Sequence, residues 1–280
     1  MNIKITSDST CDLSKELLNK NDISIFALTV IKDDKAYSDG ITITTDEIFA
    51  HVAAGGNLCT TTAGSVGEYQ QFFEQFVGKY DAIIHINISS EFSSCHQNAT
   101  LAASEFENII TIDSRNLSTG QGLVVLKACD LAKSELSLEE IKAILVEYTS
   151  KVEASFLLDR LDYMVKGGRC SMVAALGANL LNLKPCIEVK NGKMAVVKKY
   201  RGNYSKCLTA YVKDRLTNRD DLDKGTLFVT RTPVDDTCLA SVKTAVEEYA
   251  DFENIYWTMA GCTVSCHCGP GTLGVLFVRK

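Results

Sequence analysis

In the first half of the chain, short apolar runs alternate with amphipathic stretches. Ile3-Lys4-Ile5-Thr6 predicts a strand that stops at a polar loop, Ser7 to Asp12, and Ser14 to Asn19 predicts a helix. Ile23 to Val30 reads as a second strand, and Tyr37 to Ile43 continues in extended form across Asp39-Gly40. Thr45-Asp46-Glu47 opens a helix through Ala53, which Gly55-Gly56-Asn57 breaks. The hydroxyl-rich Thr60 to Ser65 reads as a loop before a helix from Val66 to Val77, with Tyr69, Phe72, Phe73 and Phe76 on one side. Ala82 to Ile88 is apolar enough for a central parallel strand, ending in the serine-rich Ser89 to Ser94. A helix then runs to about Phe106, followed by a strand at Ile109 to Ile112 and helices at Gln121–Lys133 and Ser137–Tyr148. This β-loop-α alternation predicts a parallel sheet with crossover helices, and ligands of such sheets sit at the carboxyl ends of the strands.

The second half predicts a different sheet. Ala154 to Leu158 is a strand, Lys166-Gly167-Gly168-Arg169 a turn, and Met172 to Leu181 a helix. Cys186–Val189 and Met194–Lys198 flank Asn191-Gly192, the preferred dipeptide of a tight hairpin. Helices at Tyr204–Leu216 and Asp235–Tyr249 alternate with strands at Thr226–Thr230, Glu253–Thr258 and Leu273–Val278. The pattern is α/β throughout. We place a boundary near residue 155, giving a domain of residues 1–155 and a second of 156–280. The 280-residue length suits two domains.

Composition narrows the function. Lys and Arg total 29 against 35 Asp and Glu, a net charge of −6, and no basic stripe is present to neutralise phosphates, which argues against nucleic-acid binding. The densest apolar stretches, Gly122 to Leu126 and Thr272 to Val278, fall far short of the ~20 residues of a membrane span, so no stable membrane insertion is expected. The opening residues lack an apolar signal core, which makes the cytoplasm the expected location. Eleven cysteines, mostly scattered singly, read as small buried hydrophobes of a reducing compartment.

Several clusters carry candidate chemistry. The hydroxyls of Thr60–Ser65 and Ser89–Ser94, with nearby backbone amides, suit an anionic head group; helix capping by Ser65, Ser90 or Ser93 is the plainer role. Ser93 with His267 as base would make an esterase, although no Gly-x-Ser-x-Gly elbow is present. Cys262, Cys266, His267 and Cys268 are metal-capable but match no common zinc spacing, and on an extended segment the cysteines at 266 and 268 would point away from His267. Small buried cysteines around one histidine are the favoured reading, with no metal. Lys166-Gly167-Gly168-Arg169 is too short for a phosphate loop and reads equally as a surface turn, and Lys198, Lys199 and Arg201 read as a solvated strand end. Asp8, Asp39 and Asp113 each follow a strand singly. On these residues alone the chain is an α/β anion binder.

Thr6-Ser7-Asp8-Ser9-Thr10-Cys11-Asp12-Leu13, Tyr37-Ser38-Asp39-Gly40, Ile88 to Ser93, Ile112-Asp113-Ser114, Leu161 to Arg169, Leu183-Lys184-Pro185 and His267 to Gly271 follow one another along the chain. In that order they resemble the motifs of the DegV family of bacterial fatty-acid-binding proteins, the first its opening motif and the second its Tyr-x-Asp-Gly. The resemblance implies a two-domain DegV-like fold, with an N-terminal Rossmann-like parallel-sheet domain and a C-terminal α/β domain with a mixed or antiparallel sheet. It implies a long-chain fatty acid buried between the domains as ligand, with no further cofactor. It also implies presentation of the carboxylate to the ATP-binding subunit of a fatty-acid kinase, the chain having no ATP site of its own. A stand-alone intracellular lipid carrier is the alternative, and the esterase a lesser one. Carried over by motif, Thr61, Ser93 and His267 bind the carboxylate with Arg201 beside them, and Arg169 docks the kinase. Gly64 stands where the family's Thr-Ser-Gln-Pro-Ser loop has proline, which gives this loop greater freedom.

Overall fold

A computed structural model describes residues 1–174 and 183–280. In chain order, its first half holds β1 (Ile3–Asp8), α1 (Lys15–Lys20), β2 (Ser24–Phe26), β3 (Thr29–Lys32), β4 (Lys35–Ser38) and α2 (Thr45–Ala53). Next come β5 (Thr60–Thr62), α3 (Val66–Glu74), β6 (Ala82–Asn87), α4 (Cys95–Ala103), β7 (Ile109–Asp113), α5 (Ser118–Leu131) and α6 (Leu138–Thr149). The second half holds β8 (Val152–Leu157), α7 (Asp162–Gly167), α8 (Ser171–Ala174), β9 (Leu183–Lys190), β10 (Lys193–Arg201) and α9 (Tyr204–Leu216). It closes with β11 (Leu222–Arg231), α10 (Asp236–Tyr249), β12 (Asn254–Met259), α11 (Cys262–Cys268) and β13 (Leu273–Arg279). Residues 175–182, which include most of the helix expected at Met172–Leu181, lie outside the described residues.

The strands form three sheets: a parallel one in the order β2-β1-β6-β7, a mixed one in the order β10-β9-β8-β13-β11-β12, and a small antiparallel one, β4-β3-β5. Every residue of β6 is buried, as a strand covered on both faces requires. On one side α3 supplies Tyr69 and Phe73, which pack around Phe26 and the buried His85 ring. On the other lies α5. Ten of its residues, Ser118 to Val125, Ala128 and Cys129, are buried, because it is wedged between the parallel and mixed sheets. One apolar core therefore runs from Ile5 and Ile84 through Val124 to Phe156, Phe228 and Leu276. Each such side chain contributes about 1.5–3 kcal/mol when fully buried. The far face of the mixed sheet packs a second core under α9 and α10, including Tyr211, Val242 and Phe277.

Three expectations need correction. The strand expected at Ile23–Val30 is two strands in different sheets: at Leu28 the chain leaves the ladder, its N–H donating to Ser9 Oγ (3.1 Å) and its carbonyl accepting from Asp39 N (2.9 Å). The extended run at Tyr37–Ile43 stops at Ser38, whose carbonyl closes a turn by accepting from the amides of Ile41 and Thr42. Thr60 to Thr62 is strand, not loop, pairing with Thr29 to Ile31; three β-branched residues fit a pleated edge.

Candidate functional site

In the parallel sheet the strand order reverses between β1 and β6, and the crevice beyond their carboxyl ends is the expected ligand site of such a sheet. A cavity of about 60 Å³ opens there. Among the described residues its polar wall includes Thr61, Thr62, Ser93, Arg169, Thr263 and His267. Leu28, Ala63, Ile88, Phe92, Leu117, Met194, Val264 and Cys268 form the apolar remainder. A second cavity, of about 30 Å³, shares Leu117, Val264 and Cys268 with the first and reaches the mixed sheet at Phe156, Gly274 and Leu276. The two together trace a narrow apolar path between the sheets.

The polar end is built from four elements. β5 carries Thr61, whose Oγ1 lies 2.8 Å from His267 Nε2. His267 stands in the last turn of α11, a helix where the sequence pattern predicted an extended segment. The helix forms there because two acidic side chains meet its unpaired first amides: Asp12 Oδ1 accepts from Gly261 N (2.8 Å), and Asp39 accepts from Cys262 N (2.8 Å) and Thr263 N (3.1 Å). Helical geometry puts Cys262 and Cys266 on one face, packed with Cys59 and Ile43, and turns His267 toward the cavity. The metal-capable residues thus divide between two faces. Among the described residues no cluster of three or more His, Cys, Asp or Glu side chains is arranged to hold a metal.

Burial holds the His267 imidazole at a pKa of about 4, with the Arg169 guanidinium adding to the same effect, so the ring is neutral near pH 7. Its Nδ1 is buried without a hydrogen-bond partner among the described residues, facing the backbone of Gly167. Gly167 ends α7, and Gly168 follows it in the left-handed conformation at φ 68°. Arg169, exposed at the cavity mouth, donates back to the Gly167 carbonyl at 2.6 Å. The Lys-Gly-Gly-Arg turn is therefore the seat of the histidine rather than a phosphate loop.

Ser93, half-buried and lining the same cavity, donates to Cys95 Sγ at 3.0 Å and accepts from Cys95 N at 3.3 Å, a local turn just before α4. Since His267 Nε2 is used by Thr61 and the Ser93 hydroxyl by Cys95, the serine and histidine are not hydrogen-bonded as an esterase dyad. Ser65 caps α3 in a reciprocal capping box with Glu68, and Ser90 is tied to Asp113 at 2.6 Å, which removes both from the cavity. Gly64 is explained by contact: a Cβ there would stand 2.5 Å from the Phe26 ring, and its carbonyl accepts from Asn98 Nδ2 at 2.7 Å.

Of the residues singled out from sequence, Thr61, Ser93, His267 and Arg169 come together. Arg201 does not join them. It is exposed at the end of β10, paired with Leu183, whereas β10 meets the cavity at Met194, about 20 Å away along the strand. Residues the sequence reading did not single out are Asp12 and Asp39 as anchors of α11, Gly167 against the histidine, and Thr263. Beneath the site, Asp8 is wholly buried and its carboxyl is pushed above the usual range by burial, against donors from Thr10, Gln121 and Ile88.

Comparison with known proteins bears on the fold and the family. The profile described as "Uncharacterised protein, DegV family" matches residues 2–280. The chain belongs to the DegV family. A DegV domain-containing protein of Clostridium acetobutylicum is 33% identical over 99% of both chains. Among solved structures, a fatty-acid-binding DegV family protein from Thermus thermophilus superposes with a TM-score of 0.89 at 26% identity, covering 100% of each chain. DegV of Bacillus subtilis, described as a fatty acid binding protein, gives 0.85, also at 26% identity and 100% coverage of each chain. The DegV fold is thus two α/β layers meeting at a crevice, a parallel sheet and a mixed one. Among the described residues, no helix is long and apolar enough to cross a membrane.

Proposed function

We propose that this DegV protein binds a long-chain fatty acid between its two large sheets and presents the carboxylate to the ATP-binding subunit of a fatty-acid kinase, which forms the acyl phosphate. The observation that carries the reading is the Thr61–His267 pair in a cavity whose apolar lining includes Leu28, Ile88, Leu117 and Val264, with Ser93 also on its wall. Neutral donors orient a carboxylate without the tight ion pair that would blunt its attack on phosphorus. Arg169, exposed at the rim beside Val165 and Met172, gives a partner a charged and apolar docking edge. The solved relatives that bind fatty acids support the ligand class, and the eleven buried thiols support a cytoplasmic setting.

The tail supplies the affinity. Each buried CH₂ contributes about 0.8 kcal/mol, so a ~16-carbon chain has roughly 12 kcal/mol of gross driving force before ordering and association costs. Cavities of about 60 and 30 Å³ are small against the roughly 300 Å³ at which drug-sized pockets begin. Entry therefore requires the side chains around Leu117 and Val264 to separate, with this chain doing no chemistry of its own. Native mass spectrometry with lipid extraction tests the ligand, and ATP-dependent acyl-phosphate formation with an added fatty-acid kinase tests the presentation step. Refusal of both palmitate and oleate would overturn the first. Binding with no acyl phosphate, and no effect of Arg169→Ala on kinase turnover, would leave a stand-alone carrier.

A further inference from the structure

Thr263 lines the cavity on the same face of α11 as His267, four residues before it and so about 6 Å along the helix axis. The residue is only 6% exposed. Its amide is taken by Asp39, but its Oγ1 is buried with no hydrogen-bond partner among the described residues. A helical hydroxyl ordinarily escapes by donating to the carbonyl four residues back, as Thr209 does to Ser205 and Thr244 to Ala240. For Thr263 the residue four back is Met259, the end of β12, before the helix begins. The same cavity is lined by the apolar Leu28, Ile88, Leu117 and Val264. Valine has the same shape and would carry no unpaired hydroxyl, so a threonine here costs free energy unless a ligand atom completes it.

Resting on the fatty-acid reading above, we infer that Thr263 is a specificity-determining residue that hydrogen-bonds a hydroxyl carried by the acid on the carboxyl-proximal part of its acyl chain. One turn of helix separates Thr263 from the histidine that faces the head group, which places that oxygen within the first several carbons and not at the tail. Thr61 and Ser93 hold the carboxylate, Thr263 reads the substituent, and Val264 and Cys268 line the path onward to the second cavity.

The test compares dissociation constants of the full chain for palmitate and for palmitates bearing one hydroxyl, at carbons two to six in turn. At least one hydroxy acid binds about fivefold or more tighter than palmitate, the gain of one net hydrogen bond. That preference, read as the ratio of the two dissociation constants in each protein, disappears in Thr263→Val and Thr263→Ala and survives in Thr263→Ser. No hydroxy acid exceeding palmitate, or a preference that persists in both hydroxyl-free variants, would overturn the inference. If neither palmitate nor any hydroxy acid binds the unaltered chain, the fatty-acid reading fails first and takes this one with it.

Discussion

Gly167 lies so close under His267 that a Cβ on it would stand 2.5 Å from the imidazole Nδ1. No real Cβ is accommodated at that distance, so any side chain at 167 must displace the ring and break its bond with Thr61. Gly167→Ala is expected to fold, to lose about 1–3 kcal/mol of stability by overpacking, and to lose most of its fatty-acid affinity. Thermal unfolding beside palmitate titration checks this. Full affinity in Gly167→Ala would show that the histidine position is immaterial.

Thr61→Val and Ser93→Ala each remove a hydroxyl proposed to hold the carboxylate, the Ser93 hydroxyl turning from Cys95 Sγ to do so. A hydrogen bond to a charged group contributes about 1.5–3 kcal/mol, so each change should weaken palmitate binding about tenfold or more. The same changes should leave binding of the matching fatty alcohol within about threefold, since the apolar burial is untouched. Equal losses for acid and alcohol would mean that the tail path, not the head group, had been damaged.

Stability should depend on pH through two groups of opposite sign, whose ranges overlap below about pH 6.5 and part above it. The His267 pKa is depressed to about 4 from its ordinary 6.5, so its contribution is fully present above about pH 6.5 and is lost as pH falls toward 4. His267→Gln should flatten that part of the curve, leaving the same-signed share of His85, which burial holds at about 3. Asp12 runs the other way. Burial raises its carboxyl to about 8, so stability rises as pH falls from 8 toward the ordinary carboxylate range. Asp12→Asn keeps an acceptor for Gly261 N and should remove the slope between about pH 6 and 8, where His267 contributes little. Urea unfolding across the range measures both.

All eleven cysteines are buried, and burial raises the thiols of Cys11, Cys129, Cys186 and Cys262 to about 12. Thiolate is the reactive form, so the folded chain should react with a thiol reagent only slowly, and eleven thiols should titrate once it is unfolded. Rapid labelling of several thiols in the folded state would contradict the packing around Cys59, Cys262 and Cys266.

Much of the architecture was legible in the sequence because burial leaves a periodic trace. The fully buried β6, the aromatic stripe of α3 and the Asn191-Gly192 hairpin all stand where the pattern put them. What failed was local propensity overridden from a distance. Cys262 to Cys268 is buried almost all round and so has no alternation of apolar and polar faces to announce a helix; the helix exists because Asp12 and Asp39 arrive from the far end of the chain to satisfy its first amides. Leu28 looked like mid-strand because only Ser9 and Asp39, remote from it in sequence, reveal that its backbone is bonded elsewhere. The motif resemblance drew attention to Thr61, Ser93 and His267, but could not separate Arg201 from them, since position along a strand is invisible until its register is fixed.

The anchoring of α11 has a consequence for the order in which the molecule assembles. Its bonds to Asp12 and Asp39 join residues 249 and 223 positions apart. During synthesis, β1 and the turn at Asp39 wait for nearly the whole chain to emerge before their carboxylates meet the amides they are built to receive. The parallel sheet can collapse early around β6 and α3, which are near neighbours in sequence, while closing so long a loop is entropically slow. The cavity beside α11 is thus the last part of this protein to come into being, and a nascent chain has a folded layer well before it has that cavity.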